Sequence, residues 1–295
     1  MAKVTLTIKE AVQHLEQNHW ALFTQQINRY SGKRECPIKC LINGQYQEVY
    51  IQVGTPNNPI YAPSGVCRWV PQEKAFKTLL PGQSCDWALQ SNEVFANRDP
   101  GGKLPIQLTL HDYDKDGMQQ HYFWLFLNGL YRLLVNSLVN GVRDPSVRDA
   151  NGEPAVVQLP PIPGFPTGNT AEIARMYEMF MPKPFRQDAN FPPSAKTKIR
   201  YTVNKNGFKL NADVLDYSRD DATRMEPVLP ENQLSLLKKG SRGVYVLKVN
   251  PLQWVKNNEI NFTFDVVKVM IIPSRSTFHE AQFRMEEDDA AMIDE

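Results

Sequence analysis

The chain has 295 residues, of which 42% are hydrophobic and 22% charged, and its formal net charge is +1. This length supports a sizeable core in one large or two smaller domains, and the composition excludes wholesale disorder. The charge conceals an asymmetry: residues 285–295, MEEDDAAMIDE, hold six acidic side chains and no basic one, so subtracting those six negative charges leaves +7 on residues 1–284.

A basic body joined to an acidic end points to a nucleic-acid interaction. The opening MAKVTLTIKEAVQHLEQ is too polar for a secretory signal. The most apolar run, 123–139, is interrupted by Asn128, Arg132, Asn136 and Ser137 and is too short to cross a bilayer. An intracellular protein without membrane contact is expected. The four cysteines, Cys36, Cys40, Cys67 and Cys85, are too sparse for a disulfide scaffold. Cys36 and Cys40 are separated by three residues, and no histidine nearby completes a common zinc pattern. Buried reduced thiols, no metal and no cofactor are therefore expected.

Thr7 and Glu10 fit a capping box, and Ile8, Ala11, Val12 and Leu15 recur at helical spacing, which predicts a helix from about residue 8 into the low twenties. Asn43-Gly44 supplies the two positive φ angles of a type I′ turn, and pairing outward from it sets Ile38 opposite Val49 and Lys39 opposite Glu48. Tyr46 and Tyr50 then share the wetter face, where a tyrosine stacks a base or is covered by a neighbouring segment. Residues 54–104 read as long loops holding Arg68 and Trp69, and 105–111 as a strand. The run 121–139 is expected to begin as a strand and become a helix ending near Gly141, with Asn128, Arg132, Asn136 and Asn140 as a narrow polar stripe suited to burial between subunits.

Residues 144–168 contain six prolines and predict a semi-rigid extended connection. A short helix follows, capped by Asn169 with Glu172 and running to about Phe180. A second hairpin turned at Asn206-Gly207 pairs Val203 with Leu210, Ile199 with Val214 and Arg200 with Asp213, so that Lys198, Arg200, Thr202, Lys209 and Asn211 share its polar face. Strands are expected over 243–249 and 260–271, the latter alternating Ile260, Phe262, Phe264 and Val266 against Asn261, Thr263 and Asp265.

The run 112–117, DYDKDG, begins like a calcium loop, but the closing twelfth position is Phe123, so a polar hairpin turn is the better reading. Neither a phosphate-cradling glycine loop nor a nucleophile elbow occurs, and the five histidines are scattered. A binding protein is expected rather than an enzyme.

The informative stretch is 238–272, KKGSRGVYVLKVNPLQWVKNNEINFTFDVVKVMII. It sets Lys238, Lys239 and Arg242 at a glycine-bearing entrance, Lys248 on a strand, and Trp254 and Lys256 in a connection before a closing strand. Cations that track phosphates, interleaved with a ring on which a base stacks, are what sequence-tolerant single-strand binding requires. This order, with the acidic end, resembles the end of the OB-fold in bacteriophage single-stranded-DNA-binding proteins. The wider layout is similar to the DNA-binding transcription cofactors (Drc) of N4-like phages.

The resemblance implies a mainly β, α+β fold: an OB-like antiparallel barrel with helical and loop insertions. The residues themselves divide the chain into an N-terminal α/β region (1–143), the proline-rich connection (144–168), a β-rich OB-like region (169–275) and a flexible acidic tail (276–295). The resemblance, carried by the stretch from Lys238 to the acidic end, implies single-stranded DNA as partner, in replication or transcription, in the host-cell cytoplasm. On the reading of the residues, binding is expected to fall to Tyr46, Tyr50, Trp69, Lys198, Arg200, Lys209, Lys238, Lys239, Arg242, Lys248, Trp254 and Lys256. The tail residues Glu286, Glu287, Asp288, Asp289, Asp294 and Glu295 would compete for the groove or dock replication or transcription proteins, and homo-oligomers are compatible with the central helix. Two other readings remain open: an assembly protein of a virion, and a metal-dependent nuclease using Asp112, Asp114 and Asp116.

Overall fold

The computed structural model describes residues 4–28, 34–70, 73–80, 101–159, 169–188, 191–204, 207–220, 223–254 and 260–273. The chain begins with β1 (Val4–Thr7), α1 (Ile8–Glu16), β2 (Trp20–Leu22), β3 (Gln26–Ile27), β4 (Arg34–Cys36), β5 (Ile38–Ile42), β6 (Gln45–Gln47), β7 (Val49–Val53) and β8 (Ile60–Ala62). Its middle holds β9 (Cys67–Val70), β10 (Ala75–Thr78), β11 (Gly101–Thr109), α2 (Gln119–Asn140), β12 (Val142–Arg148), β13 (Pro154–Val157) and α3 (Thr170–Phe180). The last part holds β14 (Phe185–Asp188), β15 (Phe191–Asn204), β16 (Gly207–Leu210), β17 (Asp213–Asp216), α4 (Pro230–Leu236), β18 (Ser241–Val249), β19 (Leu252–Trp254), β20 (Ile260–Asn261) and β21 (Phe264–Ile272). The fold is mostly β and belongs to the α+β class.

Five strands form a circuit of pairings: β8 with β11, β11 with β15, β15 with β21, β21 with β18, and β18 back to β8. The β15–β21 contact is parallel and the other four are antiparallel. β8 and β11 precede the proline-rich stretch while β15, β18 and β21 follow it. Period-2 alternation explains the core: Leu104, Ile106, Leu108, Ile199, Tyr201, Tyr245, Leu247, Phe264 and Val266 are buried. Helix α2 packs on this body through Phe126, whose ring meets Trp20 at 5.4 Å and Phe264 at 6.4 Å.

Local chemistry explains several of these elements. Thr7 caps α1 reciprocally with Glu10: the Thr7 amide donates to Glu10 Oε2 at 2.7 Å, and the Glu10 amide donates to Thr7 Oγ1 at 3.3 Å. Asn169 caps α3 by accepting from the amides of Ala171 and Glu172. The first hairpin keeps its expected register at Cys40–Gln47, Leu41–Tyr46 and Ile42–Gln45, with Asn43 at φ 50 and Gly44 at φ 76. That ladder ends before Ile38 and Val49, because Ile38 pairs with Leu22 and Val49 with Val4.

Other expectations are corrected. Helix α1 ends at Glu16 instead of the low twenties, because Trp20 folds back and donates its indole N–H to the Ala11 carbonyl at 3.1 Å. Helix α2 is helical from Gln119 with no opening strand, since Phe123, Leu127, Leu130 and Leu134 at helical spacing bury one continuous stripe. The turn at 112–117 therefore joins a strand to a helix and is not a hairpin. Within the stretch expected to be an extended connection, β12 and β13 pair as a hairpin, and residues 160–168 lie outside the described chain. The second hairpin pairs Tyr201 with Leu210 and Val203 with Phe208, two residues from the expected register. A shift of two preserves which side chains share a face. Asp213 leaves Arg200 altogether: β17 pairs with β21, setting Asp213 beside Lys268.

Gly65 ties the β8–β9 loop to the end of α4. Its φ is +59, and a Cβ there would collide with the carbonyl of Leu237, which also accepts the Val66 amide at 3.2 Å. Gly65→Ala is expected to destabilise the protein by about 1–3 kcal/mol through this clash and the left-handed backbone. A urea denaturation midpoint unchanged by the substitution would contradict this reading.

Candidate nucleic-acid interface

The outward positions of β15 are Lys196, Lys198 and Arg200, facing Gln107, Pro105 and Lys103 of β11 in register. Next along, exposed Lys209 of β16 is paired with Thr202, and at the other end Arg186 of β14 is paired with Ser194. The stripe from position 194 to position 202 runs about 26 Å at the usual rise of a strand. Alternation is the cause: each cation keeps its charge in water because its neighbour in sequence fills the core.

A groove of about 460 Å³ lies over this stripe, floored by Pro105, Gln107, Lys196 and Lys198. The β8–β9 loop supplies one wall through Ser64 and Cys67, and the segment before β15 supplies another through Pro182, Lys183 and Arg186. The connection between β18 and β21 closes it with Asn261, Phe262 and Thr263. Gln107 anchors the floor by donating to the Ser194 hydroxyl.

Beside the groove lies a buried carboxylate. Asp265 of β21 is 1% exposed, and Lys103 Nζ approaches it at 2.8 Å while Arg200 Nε donates to Oδ2 at 3.0 Å. Burial alone would raise the Asp265 carboxyl; hydrogen bonding and charge from Lys103, with help from Asn250 and Arg200, outweigh it and hold the group below its ordinary range. Burial pulls the Lys103 ammonium the other way, below the usual lysine value. A row of register partners crosses the sheet here: Lys198, Asp265, Lys248 and Tyr50, on β15, β21, β18 and β7. Three strand spacings put Lys198 and Tyr50 roughly 14 Å apart along that row.

The structure thus brings Lys198, Arg200, Lys209, Lys248 and Tyr50 onto one continuous sheet surface. Lys238, Lys239 and Arg242 sit toward the opposite end of β18, Arg242 six residues and about 20 Å from Lys248. Trp254 belongs to the connection that closes the groove, paired with Ile260 and half-buried against the core. Tyr46 lies in the separate β2-β5-β6 sheet, edge-on to Phe23 at 5.3 Å with the Arg143 guanidinium 5.1 Å from its ring centre. The backbone of Trp69 pairs with Phe76 on β10. Lys256 and the acidic residues Glu286 to Glu295 lie outside the described residues.

Sequence reasoning missed Lys103, Lys183, Arg186 and Lys196. Lys196 shares the parity of Lys198 and Arg200 and was legible from the alternation; Lys183 and Arg186 reach the groove, and Lys103 the surface beside it, only through tertiary folding.

Among the described residues, this surface gathers lysine and arginine side chains. Lys115 Nζ occupies Asp112 at 2.8 Å, and the described residues contain no group of three or more His, Cys, Asp or Glu that could hold a metal. Burial pushes the thiols of Cys36 and Cys40 up to about 12, with the charge of Glu35 adding to the effect at Cys36. No described helix is long and apolar enough to cross a membrane.

No family model matches the chain, and no curated protein resembles it in sequence. Two solved structures are similar. One is gp2.5, a single-stranded DNA binding protein encoded by bacteriophage T7: 12% identical, covering 77% of this chain and 93% of that one, with a TM-score of 0.34. The other is the single-stranded DNA-binding protein from bacteriophage Enc34 in complex with ssDNA: 9% identical, covering 81% and 92%, with a TM-score of 0.33. At such scores a functional reading has to stand on this chain's own residues.

The Asp265 cluster gives a pH test. A carboxyl depressed in the folded state contributes stability above its unfolded value, about 3.9, and loses it as pH falls toward the folded value. Asp265→Asn is expected to cost about 1–3 kcal/mol near pH 7, because both cations can still reach water. The gap between variant and wild type should shrink as pH drops below about 4. Parallel stability curves down to pH 2 would rule out the ion cluster as the source.

Proposed function

We propose that this protein binds single-stranded DNA without sequence preference, in the groove over β11 and β15, and that it does so without chemistry. The observation that carries the proposal is the convergence of Lys183, Arg186, Lys196 and Lys198 on one groove, with Lys103, Arg200, Lys209 and Lys248 on the adjoining surface. Cations on alternate positions of a long strand track a flexible backbone of phosphates, whereas a duplex presents its phosphates on a wide, stiff cylinder.

The order of strands in the circuit supports an OB-like barrel. Counted along the chain as first (β8), second (β11), third (β15), fourth (β18) and fifth (β21), they pair 1-2-3-5-4 and back to 1, with the 3–5 contact parallel. Oligonucleotide-binding barrels use the face of strands two and three, together with the loops joining strands one to two and four to five. Here those are β11 with β15, the 63–100 connection, and the connection that carries Trp254 and ends at Thr263. In this proposal the acidic tail competes with DNA for the groove by charge and offers a handle to replication or transcription proteins.

The test is fluorescence anisotropy with a labelled oligothymidylate. The double variant Lys196→Glu, Lys198→Glu should bind at least tenfold more weakly. Its plot of log affinity against log salt should flatten by about 1.4, since each lost single-strand phosphate contact removes about 0.7. A chain ending at residue 284 should bind more tightly than the full chain. Wild-type affinity that ignores salt, or a double variant that binds as the wild type does, would defeat the proposal.

A further inference from the structure

Helix α2 turns toward solvent a face that carries almost no charge. Its exposed residues are Leu125, Arg132, Asn136 and Asn140, which fall on one stripe at helical spacing. Arg132 is the helix's single Lys, Arg, Asp or Glu in 22 residues, although 22% of the whole chain is charged. A face that must stay in water needs no such economy. Depletion of Lys, Glu and Asp with retention of Arg is the composition of the centre of a protein–protein contact.

Beside the stripe runs a groove of about 790 Å³ between α1 and α2, walled by Val12, Leu15 and Glu16 on one side and by Leu125, Arg132 and Leu133 on the other. Lys9 Nζ lies 5.9 Å from the Tyr122 ring centre, and a Cβ at Gly129 would lie 3.2 Å from Leu15 Cδ1. The two helices therefore run side by side in the same direction. The stretch from Leu125 to Asn140 is about 22 Å long, enough to receive several turns of another helix. We propose that the occupant is helix α2 of a second copy of this chain, in a two-fold contact that joins α1 and α2 of both copies into a four-helix bundle.

Charge selects a second copy over other occupants. Arg132 and Glu16 line the same groove and stand exposed, and neither makes an ion pair among the described residues. A two-fold contact uses one patch twice, so the stripe of each copy carries Arg132 into the groove that holds Glu16 of the other. Both charges are matched in one operation. Leu125, 40% exposed, leaves water in the same step. The acidic segment 285–295 fits less well, because Glu16 here and Glu178 in the adjoining groove between α2 and α3 repel it. A nucleic acid would find one cation. The inference is independent of the single-strand reading above, since it uses neither β11 nor β15.

Sedimentation velocity of the full chain over a wide range of concentration tests it. A reversible dimer is expected. Arg132→Glu and Glu16→Arg, both at exposed positions, should each weaken the dimer at least tenfold, and the two together should restore it, because the charges are exchanged and the pairing is kept. Unchanged circular dichroism would show that the single variants remain folded. A chain that stays monomeric throughout would overturn the inference, as would a dimer indifferent to Arg132→Glu or a double variant no tighter than the single ones. A monomeric full chain that dimerises when it ends at residue 284 would assign the groove to the acidic tail and overturn it as well. The Lys196→Glu, Lys198→Glu variant should lose oligothymidylate and keep the dimer, which separates this proposal from the preceding one.

Discussion

A carboxylate can leave water only if cations and donors replace its hydration, and Asp265 is nearly inaccessible. Lys103 and Arg200 must therefore converge on it, Arg200 from the neighbouring strand β15 and Lys103 from β11 one strand further on. One ion cluster thus pins three strands of the circuit in a single register. Because a one-residue slip would turn both cations away, it also determines which face of β15 is charged.

The groove and the electrostatics follow from that register. With Arg200 pointing outward, Lys198 and Lys196 point the same way, and Gln107 and Pro105 of β11 become their floor. Arg200 and Lys103 serve partly as counterions to Asp265, and Lys196, Lys198 and the flanking Lys183 line the groove beside them. The two ends of β18 belong to different neighbourhoods: Lys248 joins the row that crosses Asp265, while Arg242 joins the N-terminus of α2.

Much of the local architecture was legible from residues alone. The Thr7 and Asn169 caps, the Asn43-Gly44 turn with its register, and the strand over 243–249 each rest on interactions within a few residues, and such interactions are encoded where they act. The failures have one physical source. Nothing local distinguishes the aromatic run after His121 as helix or strand, because each is decided by what it packs against, and Asp213 and Asp265 look equally good as partners for Arg200.

The sequence by itself determined the alternation that makes 196–200 cationic on one side and apolar on the other, and with it a basic body that ends in a run of acid. Tertiary structure alone decided that Lys103, Lys183 and Arg186 join that side, and that Lys238, Lys239 and Arg242 lie toward the other end of β18. Side-chain direction along a strand is set by neighbours in the chain. Which strands lie side by side depends on closing a circuit whose members are as much as two hundred residues apart, and burial of apolar surface and charge across that circuit is a property of no single segment.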